Sequence, residues 1–164
     1  LGSLSDIILC KNELIEITID NKYGTVVWNN NFVGERYSLL NYEGNLSIKS
    51  TNECGTDSKE IEVSLIDCYC NLLFPNAITP NADQLNDQFR PTVDCPKLRD
   101  FTMSVYNRWG ELLFTSTDVN NTWDGTYQDI MVMNGVYYWI AVWSGIENGQ
   151  IERKADKGIL HVIR

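Results

Sequence analysis

Four short oxygen-bearing side chains, Asn81, Asp83, Asn86 and Asp87, crowd one stretch of this 164-residue chain. Hard oxygen ligands at that density suit calcium, which takes about six to eight of them once backbone carbonyls join in. The same amides and carboxylates can instead accept hydrogen bonds from the backbone of an irregular loop and order it without metal. Both readings stand on the residues alone. Leu85, where an EF-type loop would place an oxygen, weighs toward the self-bonded loop. No other cofactor is indicated.

Catalysis finds no foothold. The single histidine, His161, lies in a terminal apolar run, and no Gly-x-Ser-x-Gly elbow is present to seat a nucleophile. The carboxylates are scattered through turns, where they keep a surface soluble, and no acid–base pair stands out. An enzyme is not expected. Five Trp, eight Tyr and five Phe could build sugar-stacking platforms, but most fall in alternating strands, where core packing accounts for them. The exception is the turn Asn107-Arg108-Trp109-Gly110. There Trp109 either folds back onto its sheet, the ordinary outcome, or is held for a partner, and Arg and Trp are the types most enriched among interface hot spots. Asp124, in Trp123-Asp124-Gly125, reads as a turn former.

The balance of 13 basic and 22 acidic side chains gives a net charge of −9, which repels phosphate backbones and anionic lipid. No nucleic-acid partner is expected. Nor does any apolar run approach the roughly 20 residues of a membrane helix, so direct membrane insertion is not expected either. The chain opens at Leu1 without a basic or apolar leader and reads as a piece of a longer protein. Five cysteines suit an oxidising compartment. Cys68-Tyr69-Cys70 has the wrong spacing for a zinc site, so disulfides are the better reading, with one thiol left over. Cys95 should pair with Cys68 or Cys70. Cys70 is preferred because it lies inside the second domain, which leaves Cys68 as the odd thiol.

The elements that would position these groups are strands. Ile15, Ile17 and Ile19 alternate with Glu16, Thr18 and Asp20, and the same period returns at Leu46 and Ile48 and at Ile61, Val63 and Leu65. Turn signals at Asn21-Lys22-Tyr23-Gly24 and Tyr42-Glu43-Gly44 punctuate them. Pro75 and Pro80 keep any helix or central strand from running unbroken through the segment 74–89, which reads as an irregular strand entering a tight loop. Beyond it, Phe101, Met103 and Val105 alternate toward a hairpin at Asn107–Gly110, and Asn148-Gly149 marks another. The run 135–143 is apolar at both parities, which predicts a central strand covered on both faces. No stretch has a helical period. The expected fold class is all-β, with two antiparallel sandwiches in tandem, residues 1–67 and 68–164, joined by a short, stiff connection.

Two resemblances sharpen this. Phe74-Pro75-Asn76-Ala77-Ile78-Thr79-Pro80-Asn81, continuing through Asp83 to Asn86-Asp87, resembles the opening of the gliding-motility-associated C-terminal domain, the type B signal of the type IX secretion system. Tyr106-Asn107-Arg108-Trp109-Gly110, Thr122-Trp123-Asp124-Gly125, Asn134-Gly135-Val136-Tyr137 and Lys157–Arg164 resemble later family elements, in order. Ala82 and Gln84 stand where that pattern usually has glycine. The resemblance implies a folded signal at the end of a cell-surface gliding adhesin. It also implies transit through the periplasm, export by the type IX translocon to the cell surface or medium, and an outer-membrane partner of the PorP/SprF kind. A carbohydrate-binding or structural stalk module is the alternative. More loosely, residues 1–67 resemble immunoglobulin-like or PKD-like adhesin repeats. Trp28 between Cys10 and Cys54 is similar to the Cys-Trp-Cys order of immunoglobulin-like domains, and this pairs Cys10 with Cys54.

Overall fold

A computed structural model of the chain describes residues 4–20, 24–29 and 31–164. The expected turn at Asn21-Lys22-Tyr23 lies outside them. The chain divides into two compact units, Leu1–Cys68 with Glu147–Gln150, and Tyr69–Ile146 with Ile151–Arg164. The described residues form strands, turns and irregular loops, with no helix among them.

The first unit holds β1 (Ile7–Cys10), β2 (Leu14–Thr18), β3 (Thr25–Trp28), β4 (Arg36–Leu40), β5 (Gly44–Asn52) and β6 (Gly55–Ile66). One sheet has the order β1-β6-β5-β3 and the other pairs β2 with β4. Alternation turns Ile17, Leu39, Leu46, Ile48, Ile61 and Val63 inward, and they form the core between the sheets. Trp28 is buried there, stacked on Tyr37 at a centroid distance of 4.8 Å, and its indole N–H donates to the Gly34 carbonyl at 2.8 Å. A buried indole N–H usually finds such an acceptor, since leaving it unpaired is costly.

The disulfide of this unit is Cys10–Cys68, and the expected Cys10–Cys54 bond is not formed. β1 runs parallel to the end of β6, with Cys10 opposite Ile66, so Cys68 arrives two residues later beside it. Cys54 instead sits in the tight β5–β6 turn, where Asn52 faces Gly55. From there to Ile66 the strand advances roughly 40 Å at ~3.3 Å per residue, far beyond a disulfide's reach. Cys54, not Cys68, is therefore the free thiol, and it is exposed.

The second unit holds β7 (Asn71–Leu73), β8 (Ala77–Ile78), β9 (Thr92–Asp94), β10 (Arg99–Tyr106), β11 (Leu112–Ser116), β12 (Thr126–Tyr127), β13 (Ile130–Met131), β14 (Gly135–Glu147) and β15 (Gln150–Val162). Five of them make the main sheet, β11-β10-β14-β15-β8, while β7 pairs with β9 and β12 with β13. β15 is thus an inner strand, with β8 parallel to it through His161–Ala77 and Val162–Ile78. The core packs on one face of this sheet around Met103, Val105, Trp139, Trp143, Leu160 and Val162. Cys70–Cys95 closes a disulfide across the β7–β9 side. Its sulfurs press on β14 at Gly145, where a Cβ would overlap Cys70 and lie 3.2 Å from Cys95 Sγ.

β14 is central in hydrogen bonding but is not covered on both faces. Tyr137, Trp139, Ala141 and Trp143 are buried, whereas Val136, Tyr138 and Ile140 are 40, 45 and 45% exposed. An apolar residue at both parities satisfies strand propensity in either case, and the second face has no layer over it at these positions.

Candidate functional site: the 74–89 loop and the 107–110 tip

Both ends of the segment 74–89 are anchored on one tryptophan. Phe74 stacks on Trp139 at 4.1 Å and Phe89 meets the same ring at 5.9 Å, so the prolines between them need no regular structure to be held. Thr79 closes the base of the loop, its N–H donating to the Asn86 carbonyl at 2.7 Å and its hydroxyl to the Leu85 carbonyl at 3.0 Å.

Inside the loop Asp87 is the hub. Its Oδ1 accepts the N–H groups of Asn81 and Ala82, both at 2.9 Å, and its Oδ2 accepts that of Gln84 at 2.7 Å. Partial desolvation pushes the Asp87 carboxyl up, but the donors from Asn81, Gln84 and Ala82 outweigh it and hold the group below the usual carboxylate value of 3.8. Asp83 and Asn81 repeat the pattern on a smaller scale. Asp83 Oδ1 accepts the Leu85 N–H at 2.8 Å, and Asn81 Oδ1 accepts that of Asp83 at 3.0 Å. Ala82 and Gln84 adopt φ of 65° and 69°, the left-handed conformation that glycine would enter freely. The Asp87 carboxylate, accepting N–H groups from this folded-back backbone, offsets their strain.

Asn81, Asp83, Asn86 and Asp87 are thus brought into one loop, but the side-chain oxygens of Asn81, Asp83 and Asp87 already accept N–H groups of the loop itself. No group of three or more metal-binding His, Cys, Asp or Glu side chains exists among the described residues. A calcium ion here would have to displace those donors, so the residues do not fit it.

The second feature is the β10–β11 turn. Asn107 Oδ1 accepts the N–H groups of Trp109 and Glu111, both at 3.0 Å, and its amide donates to Glu111 Oε2 at 2.8 Å. Gly110 completes the turn at φ 83°. Held this way, Trp109 does not fold back: it is 73% exposed, with the Arg108 guanidinium 4.2 Å from its ring centroid. Glu111, which was not singled out from the sequence, ties the tip to β12 by accepting the Tyr127 hydroxyl at 3.1 Å. That hydrogen bond, then the carboxylate's charge, raises the Tyr127 phenol above its ordinary value. The signal was present in the spacing, since a carboxylate four residues after an Asn at a turn can cap it. Asp124 is a turn former, its Oδ1 accepting the Thr126 N–H at 3.0 Å and hydroxyl at 2.6 Å.

Fold and site together define an all-β sandwich module. A model of the CHU_C type IX secretion signal domain matches residues 72–162, more than half of the sequence, and the chain belongs to that family. The domain marks its protein for export, to be secreted or displayed at the surface. Among the described residues no helix is long and apolar enough to cross a membrane. No curated protein matches the sequence. Among solved structures, the chain is similar to the three N-terminal domains of the highly immunogenic outer capsid protein of bacteriophage RB49. The identity is 10% and the TM-score 0.37, with 98% of this chain and 67% of that one covered. It is also similar to the Dpr2 Ig1-Ig2 complex with DIP-Theta Ig1-Ig3, at 11% identity and TM-score 0.33, covering 98% of this chain and 62% of that one. A SusE-like surface-located polysaccharide-binding protein of Bacteroides thetaiotaomicron matches at 8% identity and TM-score 0.33, covering 96% and 33%. The chain thus spans under two thirds of the length of the last two.

Proposed function

We propose that this chain is the export-signal end of a gliding adhesin, with the first unit an adhesin repeat and the second read as a folded address by an outer-membrane partner of the PorP/SprF kind. The observation that carries this reading is the tip: an exposed tryptophan with a stacked arginine, on a turn braced by Asn107 and Glu111. An aromatic that is costly to expose and rigidly presented is the usual anchor of a recognition surface. Asn107 and Gly110 shape the turn, while Arg108 and Trp109 make the contact. The partner reads the shape and exposed side chains of the folded domain rather than an unfolded linear peptide.

The test is export of a fluorescent cargo fused to the whole chain in a gliding bacterium. Wild type should reach the surface or medium, and the Arg108→Ala, Trp109→Ala double variant should not, with its melting temperature unchanged. Export of the double variant at the wild-type level sinks the role of the tip. Binding of the unfused chain on a glycan array would favour the carbohydrate-binding alternative.

A further inference from the structure

The outer face of the five-stranded sheet is apolar where a solvent-facing sheet is ordinarily polar. Val136, Tyr138 and Ile140 of β14 are joined by Ile159 of β15, which is 49% exposed. On β10, Tyr106 lies directly across from Tyr138, and Ser104 across from Ile140. The surface continues to the sheet edge, where the Ser104 hydroxyl meets that of Thr115 on β11 at 3.2 Å.

The charge of this face is opposite to that of the chain. Strand alternation sets its outward positions, and none carries a carboxylate on β10 from Thr102 to Tyr106, on β14 from Val136 to Val142, or on β15 from Arg153 to Ile163. Arg153 and Lys157 stand outward there, whereas Lys154, on the other face, donates to the Cys70 carbonyl. The chain as a whole has a net charge of −9. An acidic partner is therefore repelled by the bulk of the molecule and admitted at this face, which fixes its orientation as well as its place.

We propose that this face, from Tyr106 and Tyr138 across Ile140 and Ile159 to Lys157, docks an export partner whose contact surface is apolar and bordered by carboxylates. The assignment rests on the reading of the chain as an export signal. A second copy is the poorer occupant, since isologous packing of the face on itself would set its cations near their own equivalents. Anionic lipid is opposed by the net charge.

The experiment compares the whole chain fused to cargo with an Ile140→Asp, Ile159→Asp double variant and with Lys157→Glu and Lys157→Arg. Export should fall about tenfold or more in the double variant, the effect of losing a central anchor. It should fall severalfold in Lys157→Glu and stay at wild type in Lys157→Arg, with thermal melting of the lysine variants unchanged. Export of a folded double variant and of Lys157→Glu at the wild-type level overturns this proposal alone. Failure of the wild-type fusion to be exported overturns the signal reading with it. Should the double variant not fold, Lys157→Glu decides. Two further outcomes would overturn the proposal in favour of a different occupant. One is sedimentation in which only wild type dimerises while export is equal; the other is flotation of wild type alone with phosphatidylglycerol vesicles while export is equal.

Discussion

Phe89 and Trp123 exchange both of their backbone hydrogen bonds, the Phe89 N–H donating to the Trp123 carbonyl at 2.7 Å and the Trp123 N–H to the Phe89 carbonyl at 3.0 Å. Two stretches that read as separate motifs in the sequence are thereby one structure. The Trp123 indole N–H donates to the Thr126 carbonyl at 2.7 Å, its ring meets Tyr137 at 5.5 Å, and Gly125, at φ 80°, brings the turn against Pro80. The tryptophans at 109 and 123 consequently have opposite roles, one presented to solvent and one buried.

Replacing each by alanine separates those roles. Trp123→Ala should cost about 3–5 kcal/mol, as a buried aromatic lost to a cavity does. Trp109→Ala, alone or with Arg108→Ala, should stay within ~0.5 kcal/mol of wild type. Urea melts of the two variants provide the check.

Asp87→Asn keeps the shape of the loop hub but removes its charge, and should lower the melting temperature and speed hydrogen exchange at Ala82 and Gln84. The pH dependence has a definite sign. Because the folded carboxyl is held below 3.8, its contribution is full above that value and disappears as pH falls through the folded value. The wild-type advantage over Asp87→Asn should therefore be constant near neutrality and vanish under acid. An advantage that stayed undiminished however far the pH fell below 3.8 would contradict the hub role.

Non-reducing peptide mapping should recover Cys10–Cys68 and Cys70–Cys95, and a thiol reagent should label Cys54 in the folded chain. Each bond closes a loop, of 58 and 25 residues' separation, worth about 3–4 kcal/mol on the chain-entropy account. Cys54→Ser should be neutral, whereas Cys70→Ser with Cys95→Ser should be strongly destabilised.

Gly158 is a packing glycine. The Trp139 indole lies across it, so that a Cβ would come within 2.8 Å of ring atoms. Gly158→Ala should cost about 1–3 kcal/mol, since a buried ring must shift to admit the methyl. A change below that range would mean that the ring has room to move.

Much of the fold is legible because period-two alternation is a local signal. Ile17, Leu46, Ile48, Ile61 and Val63 are inward as their spacing predicts, and the Asx-rich loop orders itself through neighbours a few residues apart. What the sequence hides is nonlocal. The partner of Cys10 depends on β1 lying parallel to the far end of β6, a pairing across more than fifty residues that no local pattern announces. Tyr138 and Ile140 look like core from their chemistry, and only the layering of the sheet leaves them facing water. Trp109 is outward because Asn107 and Glu111 fix the turn, a matter of hydrogen-bond geometry rather than hydrophobicity.

The parallel pairing of β15 with β8 also sets an order of events. Ala77 and Ile78 pair with His161 and Val162, more than eighty residues downstream. The main sheet therefore closes only after residues 161 and 162 have been synthesised, and a chain interrupted before them leaves β8 unzipped. A signal built on this sheet is therefore self-proofreading, complete only in chains whose translation has run through β15.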